Sequence, residues 1–414
     1  MANKTLEREE FRVDFFLKYR KIITFLLLIL FLLPLFIIIS TTAAYSAGLE
    51  WVDKYPWLKG ILLFLFALFL NKYTDNNVED EQVNSVPVYE GEEIIIESKD
   101  FGTEKEVLAF HVNWLTSDED STESLKRNWQ NIDMLVPFWY TVKADGSIVS
   151  RYGGYQYEVD SFSKSRNIKV LPLINNSQEN NMILVDPATR SRAVNNIVEL
   201  VKKNDFAGVN IDFEHIPPWT RNGYTAFIKE LSEKLRIINR LTTISVFPKI
   251  DVPLDLQGAY NYAALAPLVD RIIIMTYDHH WAKGPAGPIA SIGWVEKNIL
   301  YALEYIPADK ILLGIANYGY DWSGGYGQDI SARRAVQLAE EKGAEIKWHE
   351  THQAPYFYYW EGSKKHEVWF ENSNSLAFKL DLVNKYNLRG IGIWRLGNEK
   401  ERFWNIIENK LKNM

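Results

Sequence analysis

The chain has 414 residues, 47% hydrophobic and 24% charged, with a formal net charge of -7. That balance excludes disordered, collagen-like and coiled-coil chains, and the length allows two or three ordinary domains or one large barrel with appendages. The acidic balance offers no field for phosphate backbones, so no nucleic-acid partner is expected; the absence of cysteine removes disulfides, zinc fingers and thiol catalysis.

Residues 1–21 carry Arg8, Arg12, Lys18, Arg20 and Lys21 ahead of an uncharged apolar run that begins at Ile22. The run is long enough to cross a hydrocarbon core of ~30 Å, and Pro34 inside it is tolerated better in a membrane helix than in a soluble one. The basic flank places residues 1–21 in the cytoplasm. Small residues around Ala43, Ala44, Ser46 and Ala47 resemble a signal-peptide cleavage site, but the length of the run favours a retained anchor over 22–45. A second apolar segment, 57–70, lies in the short stretch 46–73 and includes Lys59. It reads either as a short crossing with Lys59 snorkelling or as an interfacial segment. An interfacial segment leaves the rest of the chain outside the cell, whereas a crossing returns it to the cytoplasm. The expectation is a cell-membrane protein, single- or double-pass, with an extracytoplasmic catalytic region. Residues 74–106 are acidic and polar, as in a solvated linker, with one short strand expected at 94–96.

From Val107 onward, β-rich runs alternate with amphipathic helical stretches. Strands are expected at 107–114, 134–140, 169–176, 208–214, 241–249, 271–278, 311–318 and 390–396. Helices are expected at 187–203, opened by Asp186 and Pro187, and at 224–238 and 375–386. Strand–helix alternation implies parallel βα units. Eight of them over 107–412 predict an α/β chain folded as a (β/α)8 TIM barrel. Residues 345–371 interrupt the alternation with aromatic-rich runs around Glu361-Gly362-Ser363. They are expected to form a small α+β insertion before strand eight, walling one side of the cleft.

Catalytic groups in such a barrel gather at the C-terminal ends of the strands. Strand four ends in Asn210, Asp212 and Glu214, which share one face by the two-residue period, while Val209, Ile211 and Phe213 share the other. The apolar face meets the helices and three polar groups point into the barrel. Asp212 and Glu214 would lie about 6–7 Å apart along the strand. A buried carboxyl beside another has its pKa raised, which suits a general acid at neutral pH. The plainer alternative is an inward salt-bridge pair that serves stability.

This stretch resembles the signature of the family 18 glycoside hydrolases, the chitinase-like enzymes. The family pattern Asp-Gly-x-Asp-x-Asp-x-Glu stands here as Ala207-Gly208-Val209-Asn210-Ile211-Asp212-Phe213-Glu214. Met275-Thr276-Tyr277-Asp278 is similar to the family's strand-six motif, and Trp394 resembles the strand-eight tryptophan that floors the site. The version Asn-Ile-Asp-Phe-Glu is similar to that of bacterial members acting on cell-envelope glycans, including spore-lytic types. The resemblance covers about 107–412 and implies a retaining glycosidase without an enzyme nucleophile, an exception to the usual two-carboxylate scheme. Glu214 would protonate the glycosidic oxygen and the substrate's 2-acetamido carbonyl would attack the anomeric carbon. Asp212 would orient that amide and Tyr277 would hydrogen-bond its carbonyl. The implied partner is an N-acetylated polysaccharide such as peptidoglycan or poly-N-acetylglucosamine, with no cofactor. Asn210 and Ala207 depart from the pattern, and the first of these removes a charge beside Asp212.

Further substrate-binding candidates are Asn210, Asp278, Trp394, Trp139, Asn175 and Tyr318. Phe138, Tyr140, Asn176, Tyr320, Trp322, His111 and Trp114 also stand at strand ends. The run Asp278-His279-His280 invites a metal reading, but adjacent histidines seldom point at one ion from a strand end, so no metal is expected. The competing functional readings are a carbohydrate-binding pseudoenzyme and a membrane-tethered scaffold of an envelope polysaccharide complex.

Overall fold

The structure is a computed structural model that describes residues 105–113, 121–176, 182–399 and 401–412. Both apolar N-terminal segments, the acidic linker up to residue 104 with its expected strand, and Trp114 lie outside the described residues. Among the described residues no helix is long and apolar enough to cross a membrane.

All eight expected strands form. Strand one is Glu106–His111, strand four Gly208–Asp212, strand five Leu241–Val246, strand six Arg271–Ile274, strand seven Ile311–Ala316 and strand eight Gly390–Trp394. Strand one starts one residue earlier than expected, because Glu106 is already in register with Gly390. Strands two and three are each broken, into Met134–Pro137 with Tyr140–Val142 and Lys169–Val170 with Leu173–Asn176. The first pieces pair with each other and Tyr140–Val142 pairs with Leu173–Asn176, all in parallel. Parallel pairing continues from strand three through strand eight, and strand eight pairs back onto strand one. The circle closes, leaving no sheet edge in the barrel wall.

The two-residue period sorts each strand into two layers. Leu108, Phe110, Met134, Val136, Leu171, Leu173, Ile273 and Leu312 pack together inside the barrel. Their neighbours Val107, Ala109, Leu135, Val209, Ile211, Ile272 and Leu313 pack outward with the helices. Helix Pro187–Asn204 starts where expected because the Asp186 side chain accepts the Thr189 backbone N–H at 2.8 Å, satisfying an otherwise orphaned donor. It buries Ala193, Val194, Ile197, Val198 and Val201 along one stripe. Helix Arg221–Ile237 does the same with Tyr224, Phe227, Ile228, Leu231 and Leu235.

The insertion is larger than the run 345–371 suggests. Strand seven stops at Ala316, and Tyr318–Ser323 already belongs to a separate antiparallel sheet. That sheet also holds Tyr326–Ser331, Lys347–His349, Ala354–Glu361 and Lys364–Phe370. The expected hairpin around Gly362 is its core, with Tyr356 opposite Trp369 and Glu361 opposite Lys364. Helix Ala332–Lys342 covers one face of the sheet through Ala335, Leu338 and Ala339 against Phe357, Val368 and Phe370.

Candidate active site

The local pattern of strand four builds the site. Val209, Ile211 and Phe213 are fully buried against the helices, which stabilises the strand by roughly 1.5–3 kcal/mol for each such side chain. The same alternation forces Asn210, Asp212 and Glu214 inward. The ladder ends at Asp212, whose partner on strand three is Asn175, and a side chain takes over where the backbone ladder stops. Asn176 donates from Nδ2 to the Glu214 carbonyl at 2.9 Å and accepts the Glu214 backbone N–H on Oδ1 at 2.9 Å. This two-point grip fixes the backbone that carries Glu214. His215 then turns the chain with φ 53°, and its Nε2 lies 3.9 Å from the Glu214 carboxylate.

Asp212, Glu214, Tyr277 and Asp278 line one cavity of about 240 Å³, together with Ser245 and an apolar wall of Phe110, Phe247, Met275 and Trp394. Trp394 packs edge-on against Phe110 with ring centres 5.3 Å apart, so the indole is held as a floor. Gly314 leaves room for the phenol: a Cβ there would stand 3.0 Å from the Tyr277 ring and 2.4 Å from the Ile274 carbonyl oxygen.

The carboxyls are all pushed toward their neutral forms. Burial raises the pKa of Asp212, against the opposing hydrogen bond with Ser245. Glu214 keeps 40% of its side-chain surface open to the cleft, yet the surrounding walls make burial the first cause of its raised pKa. Repulsion from Asp212 and Asp278 follows. Two carboxylates this close resist ionising together, so they titrate as a pair. Asp278 is also raised by burial, while hydrogen bonds from Tyr318 and Tyr320 oppose the shift. The Tyr318 and Tyr320 hydroxyls donate to Asp278 Oδ1 at 2.6 and 3.0 Å. Burial, then the facing Asp212, Glu214 and Asp278, lift Tyr277 far above its ordinary value; it therefore stays a proton donor. Such a site can donate a proton to a leaving group and orient an amide at an apolar floor.

Several sequence expectations are corrected here. Asn210 is fully buried and bonded to Thr243 and Ser245, and it does not line the cavity. Trp139 is 1% exposed and packs edge-on against Tyr155 and close to Phe206 in the outer core, because the break in strand two turns it away from the barrel axis. Asn175 bonds to Thr141 and does not line the cavity. Tyr318 acts on the site through Asp278. Of the weaker candidates, Tyr140 and Trp322 are buried, and His111 is buried with Nε2 3.1 Å from Thr122 Oγ1. The His279 ring stacks on Trp294 at 4.5 Å, and His280 Nδ1 lies 3.0 Å from the Pro285 carbonyl. Phe110, Ser245 and Phe247 were not among the expected residues. The alternation of Thr243, Ser245 and Phe247 with Ile244 and Val246 carried the signal for two of them.

The sequence profile described as glycosyl hydrolases family 18 matches residues 106–399. The chain is 31% identical over 268 residues to the cortical fragment-lytic enzyme of Bacillus subtilis, covering 60% of this chain and 62% of that protein. It spans 52% of a second Bacillus subtilis relative, at 33% identity, so it covers less than two thirds of either. Among solved structures, it superposes on the Bacillus megaterium spore cortex-lytic enzyme SleL with a TM-score of 0.67 and 28% identity, covering 74% of each chain. A chitinase from Chromobacterium violaceum gives 0.70 and 28%, over 74% of this chain and 99% of that one. The chain belongs to the family 18 glycosyl hydrolases.

Proposed function

We propose that the chain is a glycosidase that cleaves β-linked N-acetylhexosamine glycans of the cell envelope by substrate-assisted, retaining catalysis. One observation carries the reading: Asp212, Glu214 and Tyr277 meet in a single cavity floored by Trp394. Glu214, kept protonated by burial and by two facing carboxylates, gives its proton to the glycosidic oxygen. The acetamido oxygen attacks the anomeric carbon as that bond breaks, and Asp212 accepts the amide N–H. Tyr277 donates to the amide oxygen, and the Glu214 carboxylate then takes a proton from the water that opens the oxazolinium ring. Peptidoglycan fragments are the proposed substrate, supported by the cortical fragment-lytic and cortex-lytic names of the relatives. The apolar segments 22–45 and 57–70 are proposed to tether the enzyme to the cell membrane with the barrel on the outer side.

Offered to peptidoglycan, poly-N-acetylglucosamine and their de-N-acetylated forms, the full chain in detergent is expected to cut only acetylated polymers. Glu214→Gln should lower kcat by roughly 10²–10⁴-fold. Cleavage of a de-N-acetylated polymer at the same rate would remove the substrate-assisted mechanism. A barrel protected from protease on intact cells would remove the extracytoplasmic placement.

A further inference from the structure

Strand five brings a further hydroxyl to the wall of the site, beside Asp212. The register of Asn210 with Thr243 and of Ile211 with Ile244 sets Ser245 alongside Asp212. The two residues line the same cavity, close enough for the Ser245 hydroxyl to pull the Asp212 pKa down against burial. Ser245 is 1% exposed, and its Oγ also lies 3.1 Å from Asn210 Oδ1.

The direction of these bonds is fixed from below. Thr243 Oγ1 donates its one proton to the Val209 carbonyl at 3.1 Å. It can therefore only accept from Asn210, whose Nδ2 stands 3.0 Å away. With its NH₂ held there, Asn210 turns its oxygen, an acceptor alone, toward Ser245. Ser245 thus faces two oxygens with a single hydroxyl proton, and its orientation depends on the charge of Asp212.

We propose that Ser245 is a positioning residue that carries Asp212 through both of its protonation states. When Asp212 is ionised, the Ser245 hydroxyl donates to the carboxylate. When Asp212 is protonated, its O–H donates to Ser245 Oγ, and the hydroxyl swings to donate to Asn210 Oδ1. One proton passes between Asp212 and the cleft, the hydroxyl rotates, and no other bond changes. Asn210 thereby provides a neutral terminus where a second carboxylate would add a charge. The inference rests on the proposed reading of Asp212 as the residue that holds the substrate amide.

Glu214 on the same strand end acts on Asp212, as do Tyr277, three residues past the end of strand six, and the buried Tyr224 and Tyr260. Asp278 stands beyond Glu214. A hydrogen bond to a carboxylate is stronger than one from a neutral carboxyl, so loss of the hydroxyl destabilises the ionised form more.

Carbon-13 carboxyl NMR titration of the intact chain without substrate, with Asp212→Asn to assign the resonance, reads this directly. Ser245→Ala should raise the Asp212 midpoint by about one pH unit, and Ser245→Thr should restore it. In the rate profile of kcat/KM the acidic limb should move up with the midpoint, and by more than the alkaline limb does, because the two carboxyls titrate as a pair. If Ser245→Ala does not fold, Ser245→Cys, a weaker donor of similar size, should give a smaller upward shift. An unmoved midpoint in the Ala or Cys variant, or a Thr variant that shifts like Ala, overturns the proposal. Because the titration needs no turnover, a wild-type chain that cleaves nothing would defeat the proposed function while leaving this midpoint shift measurable.

Discussion

The burial of Asp212 costs the fold stability once its carboxyl is ionised. Its pKa is raised in the folded chain by burial, so its contribution is fully favourable below the ordinary carboxylate range and is lost as pH rises through the folded value. Asp212→Asn is therefore expected to stabilise the protein by on the order of 2 kcal/mol near pH 8 and by nothing near pH 4. Thermal unfolding at the two pH values checks this, and equal effects at both would contradict it. Asn176 tests positioning in the same way. Removing its grip on the Glu214 backbone leaves the carboxyl intact but lets it drift. Asn176→Ala should lower kcat by about 10–100-fold with little change in KM; an unchanged kcat would show that the grip is dispensable.

At the scale of elements, the insertion sheet reaches into the chemistry through two hydroxyls. Tyr318 and Tyr320 stand on its first strand, two positions apart and so on the same face, and both donate to Asp278. Replacing both with phenylalanine removes the two bonds that favour the charged form of Asp278, so burial raises its pKa further. A neutral Asp278 no longer repels the ionised form of Glu214, and the Glu214 pKa falls. The alkaline limb of the rate profile should move to lower pH in Tyr318→Phe/Tyr320→Phe. A limb that stayed put would mean that Asp278 is not felt at Glu214. The hairpin at the centre of this sheet was legible from its aromatic alternation around Gly362. Its first two strands were not: Tyr318–Ser323 follows strand seven after a single residue, and Asn317 leaves no composition break between barrel and insertion.

At the scale of the whole molecule, closure of the barrel draws on a charge cluster at the start of strand one. Glu106 accepts from Arg271 of strand six at 2.5 and 2.7 Å and from Arg389, just before strand eight, at 2.5 Å. Burial alone would raise its pKa, but the two guanidiniums outweigh it and hold the carboxyl down at about 2. A depressed pKa adds stability above the ordinary glutamate range and loses it as pH falls toward the folded value. Glu106→Gln should cost on the order of 2–3 kcal/mol near neutrality, and the gap to the wild type should close as pH falls to about 2. A gap independent of pH would assign the loss to packing instead of charge.

The eight strands, their parallel order and the inward phase of Asp212 and Glu214 were legible in the sequence because period-two alternation and strand–helix alternation are local properties. So were Tyr277 and Trp394, each fixed at the end of a β-rich run. Tertiary structure alone decided which strand-end groups meet. Trp139 and Asn175 occupy the same kind of sequence position as Tyr277. A break in strand two turns the indole into the outer core, and a bond to Thr141 holds the amide away from the cavity. Asn176, Ser245 and Asn210 take their roles from partners 33–38 positions away in sequence. Sequence sets which face a side chain takes, but its partner across the barrel depends on strand register and closure, and those exist only once the chain has folded.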